Sequence, residues 1–245
     1  MDKIRYFDAH SHLQNYRGPG KTGGAALTLV NGTAPDDWGD VLALSAADAG
    51  VVPCFGLHPW FIDKAGPLWL EELESCLKRA PSCVGEIGLD ATKNTDAGRQ
   101  EEFLKAQLEL ARKLNRPACL HCVKAWGRML KIIKKEPPAA FLLHSYGGPA
   151  EMINEFAALG AYFSFGAAIT DPKRKKLQQA LSTVPPERLL FETERSGPAL
   201  SSDPQELPEL ISTAAAVMGK PPNELAELSW NNGVRFLGDI AAAHN

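Results

Sequence analysis

Short apolar runs of β type alternate with longer amphipathic runs along this chain, and that alternation constrains the fold more than any other feature. Eight strand candidates can be marked: Ile4–Ala9, Leu27–Asn31, Val51–Gly56, Cys83–Ile87, Pro117–His121, Ala139–His144, Ala161–Phe165 and Arg188–Glu192. Helix-type stretches lie between most of them. The clearest runs from Gln100 to Leu114, with Leu104, Leu108 and Ala111 on one face, a period near 3.6. Strands alternating with helices of about 10–15 residues imply parallel βαβ units. Eight such units imply an α/β fold of the TIM type, a (β/α)8 barrel, in preference to an open doubly wound sheet.

The first unit is irregular. Between His12 and Leu27 the chain reads LQNYRGPGKTGGAA, with no apolar periodicity, so the first crossover helix is expected to be missing and replaced by a loop near the barrel mouth. Asp171-Pro172 reads as an N-cap and N1 pair opening a helix through Leu177 and Leu181. Beyond Glu192, Pro204–Met218 and Pro222–Leu237 read as two extra C-terminal helices, punctuated by Pro221-Pro222. No repeat or linker divides the sequence, so residues 1–245 are expected to form one domain. A chain of 245 residues that is 44% hydrophobic is long enough to bury a full barrel core.

Composition excludes several classes. No apolar run reaches the ~18 residues of a membrane span, and the first residues lack a signal-peptide core. The five cysteines are odd in number and scattered, which suits reduced thiols and a cytoplasmic protein. The formal net charge of −3 argues against coating nucleic acid with a broad basic surface, and leaves local phosphate chemistry open.

The histidines carry the chemical signal. Five of the six, His10, His12, His58, His121 and His144, sit at or just after proposed strand ends, the face on which barrels of this type build active sites. In Asp8-Ala9-His10-Ser11-His12 the two imidazoles are two residues apart and project to one side of a strand. Glu86, between Gly85 and Gly88 at the end of strand four, has room for a metal or substrate to approach; Asp90 is placed to orient the loop or a ligand. His121 and His144 end strands five and six, and Glu192 and Glu194 follow strand eight. Cys119 and Cys122 flank His121 as C-x-x-C, but they face opposite sides of a strand and no second pair completes a zinc site. Collected, His10, His12, Glu86, His121, His144 and Glu194 exceed the needs of one catalytic ion. They suit two divalent ions with a bridging carboxylate, a centre that activates water and stabilises a leaving oxygen. Histidine-rich ligation does not choose among magnesium, manganese and zinc.

In order along the chain, the motifs resemble those of the TatD family of metal-dependent deoxyribonucleases. FDAHSHL is similar to its strand-one metal motif, GLHPW to its G-x-H-P motif and VGEIGLD to its metal-bridging glutamate motif. RQEEFLKAQLELARKLNRPACLHC, LHSYGG, YFSFG and LSWNNGVRFLG resemble its later helix, strand ends and terminal helix. The resemblance implies a (β/α)8 barrel that hydrolyses DNA phosphodiesters, several relatives trimming 3′ ends. It implies that His10 and His12 hold one metal, His121 and His144 the other, that Glu86 bridges, and that His58 lies near substrate. The sequence departs from the family pattern in three places, one of them the missing first crossover helix. Glu194 stands where the family has a metal-binding aspartate, and Val123-Lys124 stands where it often has Arg-Asp. Lys124, Arg128 and Arg195 are the remaining candidates for phosphate charge.

DNA is therefore the expected partner, with no membrane or protein partner indicated. Hydrolysis of an amide, ester or lactone, and a catalytically weakened metal-binding homologue, remain as alternatives. The run Lys173-Arg174-Lys175-Lys176 reads first as a solvated helix face, with nucleic-acid contact as the second reading. Trp60, Trp126 and Tyr146, each following a mouth motif, are candidates either for stacking on bases or for capping the core.

Overall fold

The computed structural model describes residues 4–16, 24–93, 96–195 and 207–244. Eight parallel strands close in sequence order into a barrel: β1 (Phe7–Ser11), β2 (Leu27–Asn31), β3 (Val51–Phe55), β4 (Cys83–Asp90), β5 (Ala118–Val123), β6 (Phe141–Leu143), β7 (Ala161–Phe165) and β8 (Leu189–Phe191). β8 pairs back onto β1 through Phe191 and Asp8. The helices are α1 (Pro35–Ala47), α2 (Trp69–Arg79), α3 (Ala97–Lys113), α4 (Trp126–Lys135), α5 (Ile153–Ala158), α6 (Lys175–Thr183), α7 (Leu207–Met218) and α8 (Pro222–Leu237). The expected (β/α)8 barrel is the observed fold.

Strand alternation builds two core layers. Leu29, Val52, Cys54, Cys119, Leu142 and Leu190 cluster together with Phe236 and Ile240, which follow from the C-terminal segment. Their neighbours along the strands, among them Val30, Phe55, Leu120, Leu143, Phe163 and Phe191, pack instead with Leu104, Leu108, Met129 and Leu181 of the helices. Cys119 and Cys122 fall in different layers, and all five cysteines are free. No described helix is long and apolar enough to cross a membrane.

The boundaries differ from the sequence reading where polar residues continue a strand. β1 starts at Phe7 and runs through His10, while β4 extends to Asp90 and β5 to Val123. Between β1 and β2, the described residues contain a turn after His12 and no helix; 17–23, which carry most of the glycines of the expected loop, lie outside the described residues. The proposed helix start at Pro204 also lies outside them.

Asp171-Pro172 does not cap α6. Asp171 accepts a hydrogen bond at its carbonyl from the Arg174 N–H (3.0 Å) and at its carboxylate from the Lys173 N–H (2.9 Å), closing a turn. The helix begins only at Lys175. The same local chemistry that favours a cap also makes a turn, and here the turn wins.

Candidate metal centre at the mouth of the barrel

A 440 Å³ pocket opens among the loops that follow the strands, lined by His12, His58, Glu86, His121, His144 and Glu194 together with Trp60, Phe61 and neighbouring loop residues. His10 lies buried just beneath. Seven side chains singled out in the sequence thus meet at one place, drawn from the ends of β1, β4, β5 and β6 and the loops after β3 and β8.

Glu86 is the centre of the arrangement. Its Oε2 lies 3.4 Å from His10 Nε2 and 3.3 Å from His12 Nε2, and those two nitrogens are 3.2 Å apart. Its Oε1 lies 2.9 Å from His121 Nδ1 and 2.9 Å from His144 Nε2, which are 3.3 Å apart. Each carboxylate oxygen therefore faces its own imidazole pair. His58 Nε2 approaches Oε1 at 3.2 Å. Burial opposes charge on Glu86, but the surrounding imidazoles hold its carboxyl well below the usual range. A buried carboxylate of this kind requires positive compensation.

Hydrogen bonds on the far side of each ring set what it presents. His12 Nδ1 donates to the Asn31 carbonyl at 2.8 Å, so Nε2 is the nitrogen turned toward Glu86 and becomes the ligand atom when it gives up its proton. His121 Nε2 donates to Asp90 Oδ2 at 3.1 Å, leaving Nδ1 free to ligate. This is the carboxylate–histidine support expected behind a metal ligand. His58 is the opposite case. Its Nδ1 accepts the Trp60 backbone N–H at 3.2 Å, so the proton sits on Nε2 and points at Glu86. Burial lowers the His58 pKa despite Glu86, favouring this neutral donor form.

A divalent cation fits these residues on two observations. Imidazole nitrogens converge in pairs on a carboxylate oxygen, and the donors are the imidazole and carboxylate groups such ions take. Three groups have ligand atoms within 4.8 Å of one another: His10, His12 and Glu86; His10, His144 and Glu194; and His58, Glu86 and His121. His10 Nδ1 and His144 Nδ1 are buried without hydrogen-bond partners among the described residues.

Glu194 sits at the rim, its side chain 44% exposed, with Oε2 3.7 Å from His10 Nε2 and 3.6 Å from His144 Nδ1. Burial of its carboxyl opposes ionisation, but the charges of His10 and His144 bring it down to about 2. Four hydrogen bonds to β1 and the residue after it fix its loop. Glu194 N–H donates to the His10 carbonyl (3.0 Å), His12 N–H donates to that of Arg195 (2.7 Å), and Thr193 donates to the Asp8 carboxylate through both N–H (2.9 Å) and Oγ1 (2.6 Å). Burial raises Asp8 to about 7. Glu194, Ser145 and Lys124 all have positive φ, so non-glycine residues in left-handed backbone follow three of the mouth strands.

Other sequence candidates are placed elsewhere. Lys124 does not line this pocket but a neighbouring groove. The Arg195 guanidinium is buried 5.3 Å over the Tyr16 ring. Arg128 pairs with Glu101 at 2.8 Å. Glu192 is fully buried and accepts a hydrogen bond from Ser164. Tyr146 is a core residue, packed against Trp126 and Phe163. Only Trp60 remains as an exposed platform among these three aromatics: it is 46% exposed, lines the pocket and donates its Nε1–H to Asp90 Oδ2 at 2.7 Å.

The glycines around Glu86 have a different role from the open space expected of them. A Cβ on Gly85 would lie 2.6 Å from Cys119 Cβ, and one on Gly88 1.9 Å from the His121 carbonyl oxygen. They let β4 approach β5 closely and so bring Glu86 to His121. Asp8 and Asn31 also support the centre, and the polar residues ending β2 and preceding His10 are the signal for them in the sequence.

Comparison with known proteins agrees with this architecture. A model of the TatD related DNase family matches residues 7–238. The chain is 27% identical over 220 residues to an uncharacterized metal-dependent hydrolase, YjjV, of Escherichia coli (strain K12), covering 85% of each. It is 28% identical over 241 residues to the 3'-5' ssDNA/RNA exonuclease TatD of Pantoea vagans (strain C9-1), covering 89% of each. The crystal structure of YjjV, a TatD homolog from E. coli K12, shares the fold with a TM-score of 0.84 at 24% identity, covering 96% of this chain and 98% of that one. The family match runs from the first residue of β1 to the residue after α8, across every strand that supplies the centre, and the chain belongs to the TatD related DNase family.

Proposed function

We propose that this protein is a divalent-metal-dependent phosphodiester hydrolase that removes nucleotides from single-stranded or 3′ ends of DNA. The observation that carries the proposal is the division of Glu86: one oxygen faces His10 and His12, the other His121 and His144. The 3'-5' ssDNA/RNA exonuclease name of the Pantoea vagans relative supports the choice of substrate.

His10 and His12 would hold one ion with Glu86 Oε2, and His121 and His144 a second with Oε1. Two divalent cations supply, when bound, activation of water near neutral pH and charge for the leaving oxygen. Glu194 closes the rim beside His10 and His144. Its low pKa makes it an acceptor and ligand at neutral pH. His58, neutral with its proton on Nε2, offers a donor to Glu86 or to a phosphate oxygen in the pocket. Trp60 offers its exposed ring to a terminal base, a contact worth about 1–3 kcal/mol where it forms. A pocket of 440 Å³ is of the size that takes small ligands and admits a strand end rather than a duplex.

The test is incubation of the purified protein with 3′- and 5′-labelled single-stranded oligonucleotides and with a panel of small esters and amides, with Mg²⁺, Mn²⁺ or Zn²⁺ and with chelator. Stepwise, metal-dependent shortening from the 3′ end is expected. Metal-dependent turnover of esters or amides without oligonucleotide cleavage would overturn the proposal.

A further inference from the structure

Beside the metal centre lies a second, larger cavity of 1110 Å³, bounded by the loops after β5 and β6 and by the start of α6. Its lining includes Lys124, Lys173, Arg174, Lys175 and Lys176, with Glu151 its one carboxylate. The two cavities share a rim. Val123 and Ser145 line the metal pocket, and the groove begins at Lys124 and Gly147 on the same two loops. We propose that this groove binds the phosphodiester backbone of a single nucleic-acid strand, holding the part of the substrate that continues beyond the scissile bond. This deepens the phosphodiesterase proposal and rests on it for the identity of the substrate.

The gathering of five cations around one cavity, against a single lining carboxylate, separates this basic run from an ordinary solvated helix face. Six lysines elsewhere have carboxylate partners: Lys64 with Asp36, Lys78 and Lys113 with Glu74, Lys105 with Glu101, Lys134 with Glu155, and Lys220 with Glu224; Lys93, Lys131 and Lys135 have none among the described residues. Among the described residues Lys124, Lys173, Lys175 and Lys176 make no ion pair, and Arg174 reaches only Asp171, at 4.0 Å. Five cations gathered around one cavity repel one another, and a polyanion relieves that repulsion. They do so in a chain whose net charge is −3. Gly147, Gly148 and Pro149 also line the groove and present little side chain, with Trp126 packed close against Gly148. Lys124 has left-handed backbone, φ 53°, where the chain turns from the pocket into the groove. One row of cations beside a pocket of small-ligand size matches a single strand, whose phosphates lie along one edge.

The test compares wild type with a variant in which Lys173, Arg174, Lys175 and Lys176 are all changed to Gln, and with Glu151→Gln. Binding of fluorescein-labelled 12-mers of DNA and of RNA is read by anisotropy from 50 to 200 mM salt, so catalysis is not required. Each phosphate contact on a single strand contributes about 0.7 to the slope of log K against log salt. The quadruple variant is expected to lower that slope by about 2–3 and weaken binding at low salt on the order of 100-fold. Glu151→Gln is expected to tighten binding. The ratio of kcat/KM for the 12-mer over a dinucleotide should fall in the quadruple variant. Unchanged slope and affinity in a folded quadruple variant would overturn the groove proposal, as would weaker binding by Glu151→Gln. Absence of any phosphodiester cleavage by wild type would overturn the function proposal alone, because the anisotropy still reports the groove.

Discussion

Asp90 is the residue whose replacement most sharply probes how the centre is held. It is buried, and its carboxylate accepts four hydrogen bonds: Thr92 N–H and Oγ1–H at Oδ1, Trp60 Nε1–H and His121 Nε2–H at Oδ2. Burial opposes its charge, but these donors bring it down to about 2. In Asp90→Asn one oxygen becomes an NH2. With the amide oxygen kept on Thr92, the NH2 faces two N–H groups, and the His121 ring is driven to the other tautomer. Its proton then sits on Nδ1, the atom 2.9 Å from Glu86 Oε1, and blocks ligation there. Changes to such supporting carboxylates cost roughly 10–100-fold in metal affinity, about 1.4–2.8 kcal/mol. Calorimetric titration of metal-free protein with Mn²⁺ should show the loss confined to one of two sites, because His10 and His12 do not touch Asp90. Wild-type affinity at both sites, or an equal loss at both in a variant with unchanged melting temperature, would refute the reasoning.

Further predictions rest on the same geometry. Glu194→Asp withdraws the carboxylate by one methylene from His10 and His144, already 3.6–3.7 Å away, and should lower kcat about 10–100-fold; a rise in kcat would show that the glutamate is a degraded ligand rather than an adapted one. Burial opposes charge on His12, but Glu86, with help from Glu194, raises its pKa to about 9. That raised value stabilises the metal-free protein fully below about pH 6.5 and is lost as pH rises through 9, so its melting temperature should fall across that window. Mn²⁺ binding at pH 7.5 should also release protons, seen as a dependence of the titration heat on buffer ionisation enthalpy; heat independent of buffer would contradict this. Gly88→Ala places a methyl on the His121 carbonyl and should cost about 3 kcal/mol or more in urea denaturation, with weakened metal binding; a cost below about 1 kcal/mol would show that β4 and β5 can separate without loss.

The barrel was legible because each buried strand is a short apolar run and each helix repeats near 3.6, signals set by residue type alone. The convergence of histidines was legible for a related reason, since barrel topology brings all strand ends to one face whatever the intervening sequence. What sequence could not supply was direction beyond the strand end. Lys124 immediately follows β5, yet a left-handed backbone places it in the neighbouring groove. Arg195 is adjacent to Glu194, yet its guanidinium is buried against Tyr16. Asp90 was legible as an orienting group from its place beside Glu86, but its partners Trp60 and His121, 30 and 31 residues away along the chain, were not. Gly85 and Gly88 likewise gain their meaning only from the strand beside them.

The central claim is that Glu86 joins two cation sites, and electron paramagnetic resonance of Mn²⁺-loaded protein, with metal counted on the same sample, tests it most directly. Two ions bridged at about 3.5–4 Å should give two manganese per chain and an exchange-coupled spectrum that collapses in Glu86→Gln. One manganese per chain, or two giving only the six-line signal of isolated ions, would contradict it.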